Sequence, residues 1–278
     1  AVVNNGTILA AEGVALIGRK ILNTGDIITG TGGFVVMAAG DGVLLGQPGS
    51  NVLVKMDSVT MPGEGSGNVI NDGLIQSKSG TIVLAAGDMF ASALELEKVS
   101  GGIGRVEQNG TIDADGTGGD GGHVILTAAD EVILSDGSLT KANAGATGDS
   151  GLVVVHSTGR TTVEADAKIE AMGGYEPYDI IDDFDDVVDT SVEISGDYVN
   201  FAGDVDASAM YGKRGKIIID ALDMTIKDGY MPDAPPDNTI YEKWIEDQSY
   251  ASTDVELVAH AKTAGNIIAE PISDGIIE

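Results

Sequence analysis

The fold of this chain is most clearly written in residues 109–130, NGTIDADGTGGDGGHVILTAAD. This stretch contains a short apolar strand opened by an Asn-Gly turn, then a Gly-rich bend, then a β-branched strand that ends on small residues. The same motif recurs at 23–41 and 71–88, and its two strands return in weaker form at 153–171 and 204–221. Repetition every few tens of residues predicts a stacked array of similar coils.

A third short strand is predicted after several copies of the motif. Three strands per coil, each bounded by Gly, Asn or Asp, are typical of a parallel β-helix. We therefore predict an all-β protein, a right-handed parallel β-helix (solenoid) forming one domain over residues 1–278, with one short helix near the C-terminal end. The candidate third strands are Val43–Leu45, Val132–Leu134, Thr161–Val163 and Met224–Ile226.

The repeat also predicts which side chains fill the interior. Neighbouring coils of a β-helix lie about 4.8 Å apart, so residues at the same place in the motif should stack. Composition agrees with a narrow interior, because 42% of the residues are hydrophobic but only 4% are aromatic, and 40 Gly against 7 Pro suit many bends. The residues expected in one inward stack are Ile8, Ile27, Ile75, Ile112 and Ile169.

Two insertions interrupt the predicted solenoid, an acidic one at 174–191 and a helix-containing one at 229–251. In the second, Thr239–Glu242 has the form of a capping box, and Ile240, Trp244 and Ile245 would share one face of a helix ending before Tyr250. The only Trp of the chain is expected to pack on the side of the solenoid. Stacking of Trp244 on a ligand is the alternative.

The charge of the chain excludes one class of function. Its 44 acidic and 15 basic residues give a net charge of −29. Sequence-independent nucleic-acid binding needs basic patches, so we expect no nucleic-acid partner. The negative charge also argues against attachment to an anionic membrane, and no apolar run approaches the roughly 18 residues of a membrane span, so no membrane insertion is expected.

The motif resembles the β-helical shaft of the filamentous haemagglutinin family, the large exoproteins of two-partner secretion. The resemblance lies in the pattern Asn-x-Gly-x-Ile-x-Ala, a Gly-Gly bend, and Val-x-Leu-x-Ala-Ala-Gly, and it extends to 216–226 and 241–259. The Asn-Pro-Asn signatures of that family's secretion domain are absent, so the resemblance places the chain in the shaft. It implies an extracellular or cell-surface location and a structural or adhesive role in a bacterial fibre or adhesin, usually without catalysis.

The expected partners follow from the open ends of a β-helix, which present unpaired strand edges. The chain opens in repeat material and closes in an apolar strand-like stretch, so we expect identical copies stacked end to end or further coils of the same polypeptide. Head-to-tail stacking would propagate as a fibre. A cell-surface glycan or protein is a further candidate ligand.

A carbohydrate-active enzyme is the competing hypothesis, because β-helices also carry polysaccharide lyases and hydrolases. The nearest catalytic material is Asp182-Asp183, Asp185-Asp186, His123 and Lys213–Lys216, and none of it has the spacing of those families. We therefore expect no enzymatic activity. A cleft lined by stacked carboxylates and aromatics on one sheet would favour the enzyme instead.

The acidic insertion is the candidate metal site, and no other cofactor is predicted. Crowded carboxylates can supply the six to eight oxygen ligands of Ca²⁺, although a solvated loop is the simpler interpretation. The predicted ligands are Asp182, Asp183, Asp185 and Asp186. Residues 115–121 are similar to the nonapeptide Ca²⁺ repeat, but the pattern does not recur at nine residues, so we interpret them as a bend.

Overall fold

The computed structural model describes residues 1–45, 53–57, 67–92, 99, 101–175, 190–211, 215–250, 253–259 and 267–269. Three long parallel sheets dominate these residues, and we call them sheets A, B and C. In spatial order, the strands of sheet A are Val2–Asn4, Lys20–Asn23, Asn68–Asn71, Arg105–Gln108, Glu131–Leu134, Arg160–Val163 and Tyr198–Phe201.

Sheets B and C follow the same order along the stack. Sheet B contains Thr7–Ala10, Asp26–Thr29, Leu74–Gln76, Thr111–Asp113, Leu139–Lys141, Lys168–Glu170 and Asp204–Asp206. Sheet C contains Gly13–Gly18, Phe34–Ala39, Thr81–Ala86, His123–Ala128, Leu152–Ser157, Thr190–Ser195, Lys216–Ala221 and Asp254–Ala259.

The chain visits the sheets in the order A, B, C and then returns to A one strand further along. Each such round is one coil, and the first seven strands of the three sheets define coils 1 to 7. The prediction of an all-β, parallel solenoid with one short helix is thereby confirmed. Its right-handed winding stays a prediction.

The predicted interior stack is confirmed by the register of sheet B. Its central column runs Ile8, Ile27, Ile75, Ile112, Thr140, Ile169 and Val205. Ile27, Ile75 and Ile112 are fully buried, whereas Ile8 is half-buried because coil 1 has a neighbour on one side only. Thr140 interrupts the aliphatic column, and its buried hydroxyl has no hydrogen-bond partner.

A second feature of the interior is a ladder of buried amides where sheet A turns into sheet B. Asn4 Nδ2 donates to Asn23 Oδ1 at 2.8 Å, Asn23 Nδ2 to Asn71 Oδ1 at 2.8 Å, and Asn71 Nδ2 to Gln108 Oε1 at 2.7 Å. We call these four residues the amide ladder. From coil 5 onward the ladder position holds the apolar residues Leu134, Val163 and Phe201.

The amide ladder ends where the turn between sheets A and B lengthens. Coils 1 to 4 use two-residue turns whose second residue is Gly, and a Cβ built on Gly73 would lie 2.0 Å from the carbonyl oxygen of Gly25. Coils 5 and 6 use the four-residue turns Ser135–Ser138 and Glu164–Ala167 instead. The longer turns no longer need Gly at the stacked position, which Ser138 and Ala167 occupy.

Two of the four predicted third strands, Val43–Leu45 and Met224–Ile226, lie outside sheet A, so those predictions were wrong. Gly42–Leu45, which includes Val43–Leu45, pairs antiparallel with Leu53–Asp57, and Leu53–Asp57 pairs antiparallel with Met89–Ser92. The next strand of sheet A is instead Asn68–Asn71, the first strand of coil 3, which pairs with Lys20–Asn23. The chain therefore leaves the stack after Ala39 and returns at Asn68, with 28 residues in between. The other predicted third strands, Val132–Leu134 and Thr161–Val163, belong to sheet A as expected.

The C-terminal part differs from the predicted helix boundaries. Thr239–Tyr241 is a strand that pairs with Met224–Lys227, and the helix α1 spans Glu242–Tyr250. The capping box was therefore wrong, since Thr239 Oγ1 donates to the Asp237 carbonyl. Met224–Lys227 also pairs with Ile267–Ala269, forming a separate three-stranded parallel sheet.

Helix α1 packs against the interior of the last coil. The Trp244 ring meets Phe201 edge-on, with centroids 4.9 Å apart and planes inclined by 71°. Phe201 is fully buried in the core cluster, against which Trp244 also packs. Along the chain, α1 lies where earlier coils have their sheet B strand. The contacts of Trp244 with Phe201 and the core show that this side chain has a packing role.

Candidate functional site

One concave surface in the described residues is a cleft of about 500 Å³ beside coils 5 to 7. The two long turns supply part of its wall, sheet A supplies its floor, and the loop after Met224–Lys227 closes one side. We call it the acidic cleft, because four of its eight lining residues are carboxylates. The lining residues are Asp136, Thr162, Glu164, Ala165, Asp166, Asn200, Asp233 and Ala234.

Hydrogen bonds between the two long turns position two of these carboxylates, those of Asp136 and Glu164. The backbone N–H of Asp136 donates to Glu164 Oε2 at 2.8 Å, and the backbone N–H of Asp166 donates to Asp136 Oδ1 at 3.2 Å. The carboxylates thus bridge coil 5 to coil 6 along the solenoid axis.

The loop that carries Asp233 is held to sheet A by polar contacts. Asn200 Nδ2 donates to the Pro235 carbonyl at 2.7 Å, and Arg160 pairs with Asp237 at 2.5 Å. The hydrogen bond from Arg160 is the main reason that the pKa of Asp237 is lowered. The Arg160 guanidinium also lies 5.6 Å from the ring centroid of Tyr198, a cation–π contact on the outer face of sheet A.

A carbohydrate-active enzyme was expected to have a cleft lined by stacked carboxylates and aromatic side chains. The acidic cleft has only the first of these two features. Carboxylates from successive coils do line it, as a glycosidase would require. None of its eight lining residues is aromatic. Tyr198, which is 49% exposed, lies on the outer face of the same sheet two residues before Asn200.

A cluster of charged side chains stabilises the bend at residues 115–121, whose sequence is similar to the nonapeptide Ca²⁺ repeat. Lys78 Nζ lies 2.7 Å from Asp113 Oδ1, and Lys141 Nζ lies 2.8 Å from Asp115 Oδ2, so the ion pairs join coils 3, 4 and 5. Burial alone would raise the pKa of Asp113, but the hydrogen bonds from Lys78 and Gln76 outweigh it and lower the pKa. Asp115 serves an ion pair here, which supports the interpretation of 115–121 as a bend.

The predicted Ca²⁺ ligands lie outside the described residues. This applies to Asp182, Asp183, Asp185 and Asp186, which belong to the acidic insertion. The structure does describe both flanks: Gly173–Tyr175 pairs in parallel with Ala209–Tyr211, and Thr190–Ser195 is the sheet C strand of coil 6. The chain therefore leaves one coil and returns to the same coil around this segment. No cluster of three or more potential metal ligands occurs within the described ranges.

The residues considered for catalysis are not brought together. His123 is exposed on sheet C, Lys216 pairs with Glu256, and Lys213 and Arg214 lie outside the described residues. His156 does gain a neighbour that the sequence did not suggest. Its Nδ1 lies 2.9 Å from Ser195 Oγ, which donates to Glu193 Oε1. Ser195 is buried, so its hydroxyl is not presented to a substrate.

The candidate site residues that sequence reasoning missed lie in the two long turns and at Asn200. The only signal in the sequence is turn length: Leu134 and Leu139 are separated by four residues, whereas Asn71 and Leu74 are separated by two.

No protein-family model matches the chain, and no curated protein matches it. Within the described part of the chain, no helix is both long and apolar enough to cross a membrane.

Proposed function

We propose that this chain is a structural or adhesive segment of an extracellular bacterial fibre or large exoprotein adhesin. The observation that carries the proposal is the continuous stack of coils, in which sheets A and B have seven strands and sheet C has eight. The resemblance of the repeat motif to the filamentous haemagglutinin shaft supports the same role. The proposed location is extracellular or at the cell surface.

A stack of this kind suits a spacer. Eight strands of sheet C at about 4.8 Å give an axial length of about 34 Å, which further coils would extend without a change of structure. Each fully buried aliphatic side chain contributes roughly 1.5 to 3 kcal/mol to the stack. The net charge of −29 opposes aggregation of a surface rich in strand edges.

The proposed partners are β-helical coils at the end of the stack, from identical copies or from further coils of the same polypeptide. A cell-surface glycan or protein is the proposed ligand if the segment is adhesive. The three strands of coil 1 support the first part, because each is the end strand of its sheet.

Surface labelling tests the proposed role. An antibody raised against the folded chain should decorate thin fibres on intact producing cells by immunogold electron microscopy, and protease treatment of intact cells should remove the label. Label that appears only after the cells are permeabilised would refute an extracellular role. An antibody against a cytoplasmic protein is the matched control.

A carbohydrate-active enzyme is the second candidate, and the acidic cleft is the observation that favours it. Glu164 and Asp136 lie next to each other in the cleft and could serve as acid and base. The test is release of reducing or unsaturated ends from a panel of polysaccharides. Activity that falls at least a hundredfold in Glu164→Gln, but not in the exposed control Asp204→Asn, would establish this function; no release from any substrate would remove it.

A further inference from the structure

The junction that follows coil 7 is built differently from the junctions before it. Coils 6 and 7 are joined by a parallel ladder in every sheet; in sheet A, Arg160–Val163 pairs with Tyr198–Phe201 in register. Beyond coil 7 only sheet C continues in this way, because Lys216–Ala221 pairs with Asp254–Ala259 over six residues. Within the described part of the chain, sheets A and B both end at coil 7.

A single residue takes the place of the sheet A ladder at this junction. Asn238 donates its backbone N–H to the Val199 carbonyl at 2.6 Å, and its Oδ1 accepts the Val199 backbone N–H at 2.7 Å. The next strand, Thr239–Tyr241, pairs with Met224–Lys227 and belongs to the separate parallel sheet. Asn238 has a positive φ of 53°, so the chain turns at this residue and the ladder stops there.

Helix α1 takes the place of the sheet B strand at the same junction. Trp244 of this helix packs edge-on against Phe201 of coil 7, with ring centroids 4.9 Å apart. Ile240, just before the helix, is 1% exposed and belongs to the core cluster. These side chains contribute buried area, which is non-directional, but no backbone ladder. Two of the three sheets therefore give way to side-chain packing at this point.

Polar contacts from the loop 228–238 close the junction on the outer face of sheet A. We call these contacts the clasp: Arg160 with Asp237 at 2.5 Å, Asn200 Nδ2 with the Pro235 carbonyl at 2.7 Å, and the two hydrogen bonds between Asn238 and Val199. The side chains of Arg160 and Asp237 are 41% and 34% exposed, so solvent screens their ion pair and its contribution is small. The clasp is therefore weaker than the ladder that it replaces.

We propose that the junction after coil 7 is a hinge, with sheet C as its axis and the clasp as its closure. Each coil of a solenoid is stabilised by its nearest neighbours, so the junction with the fewest ladder bonds opens at a lower free energy than the others. Opening separates Asp233 and Ala234, which the loop carries, from Thr162 and Asn200 on the floor of the acidic cleft. The hinge thus controls the width of that cleft.

Thiol labelling tests the hinge, because the chain contains no Cys. Ile240→Cys places a thiol beyond the junction, and Ile112→Cys places one in coil 4. The two sites are matched, since both isoleucines are at most 1% exposed and the substitution is the same. Each full-length variant is treated with a thiol-reactive disulfide reagent in the absence of denaturant. The labelling rate then measures how often each site opens.

We expect Ile240→Cys to react at least about tenfold faster than Ile112→Cys. Adding Arg160→Gln, which breaks one clasp contact, should raise the rate at position 240 by about two- to fivefold and leave the rate at position 112 unchanged. Arg105→Gln is the matched control. Arg105 is in the same outer column of sheet A and pairs with Glu131, but a complete sheet A ladder flanks it on each side. It should not change the rate at position 240.

The single Trp of the chain provides a check that needs no variant. Trp244 lies at the junction, so its fluorescence should change at a lower urea concentration than the far-UV circular dichroism of the strands. Equal labelling at positions 240 and 112 would overturn the hinge, as would coincident fluorescence and circular dichroism transitions. An effect of Arg160→Gln that is equal at both positions would overturn the role of the clasp. None of these results depends on the proposed fibre role, which surface labelling tests separately.

Discussion

We predict that the amide ladder contributes to the free energy of unfolding, and the substitution Asn71→Ala tests this most directly. Asn71 is fully buried in coil 3 between two ladder partners. It accepts from Asn23 Nδ2 at 2.8 Å and donates to Gln108 Oε1 at 2.7 Å. Alanine removes both contacts while leaving both partners inside the core.

The expected cost follows from what remains in the core. Gln108 Oε1 loses its donor, and Asn23 Nδ2 keeps only a long contact to the Leu74 carbonyl at 3.4 Å. A buried polar group without a partner costs about 1 to 3 kcal/mol, and the lost side-chain volume adds about 1 kcal/mol. We therefore expect Asn71→Ala to lower the free energy of unfolding by about 2 to 4 kcal/mol.

Urea unfolding followed by circular dichroism measures the change, with Asn5→Ala as the matched control. Asn5 is an exposed Asn in the equivalent turn of coil 1, and its side chain accepts only from Thr24. Its loss should cost under about 1 kcal/mol. Stacked coils can unfold in steps, so amide exchange in coils 3 and 4 should show the same loss locally. If the two variants differ by less than about 1 kcal/mol, the energetic role of the ladder is refuted.

Four further predictions concern the core, the charged cluster, the turns and the acidic insertion. Thr140→Val should raise the free energy of unfolding by about 1 kcal/mol in urea titrations, because it removes a buried hydroxyl without a partner; a loss of stability would contradict this. The pKa of Asp113 is lowered by its hydrogen bond from Lys78, so its contribution should be complete above the unfolded-state value of 3.8 and be lost as pH falls through the lower folded value. Acid titrations of Asp113→Asn should lack that component, and identical acid transitions would argue against the ion pair. Gly73→Ala should cost more than about 2 kcal/mol in the same urea assay, because its Cβ would lie 2.0 Å from the Gly25 carbonyl oxygen, and normal stability would show that the turn can shift. Millimolar Ca²⁺ should raise the melting temperature if the central carboxylates of the acidic insertion bind it, whereas superimposed melting curves with Ca²⁺ and with chelator would count against a site.

The interior of the solenoid could be predicted from the sequence, and the reason is local. Side chains alternate between the two faces of a strand, so the apolar residue after each turn must face inward. Ile27, Ile75 and Ile112 share that place in the motif, and they stack directly. The same logic did not reveal Thr140, because Leu139-Thr140-Lys141 has no apolar residue at the inward position.

The predictions that failed depend on which strand lies next to which. Val43–Leu45 has a strand-like sequence in the expected place, but Asn68–Asn71 occupies the position beside Lys20–Asn23. Composition does not distinguish a strand of the stack from one in a side excursion, since both are apolar and bounded by turns. The capping box at Thr239–Glu242 failed for a similar reason, because pairing with Met224–Lys227 extends Thr239–Tyr241 as a strand.

By itself, the sequence determined the period, the three-strand coil and the inward Ile column, since these depend on short-range alternation and on turn residues that recur. Only the tertiary structure decided the amide ladder, whose members Asn23 and Asn71 are 48 residues apart, and the acidic cleft, which joins turns of two coils to a distant loop. Those contacts depend on the lengths of excursions and turns between coils. The ladder stops at coil 5, the first coil with a four-residue turn, and that turn also brings Asp136 into the acidic cleft, a relation that no single segment reveals.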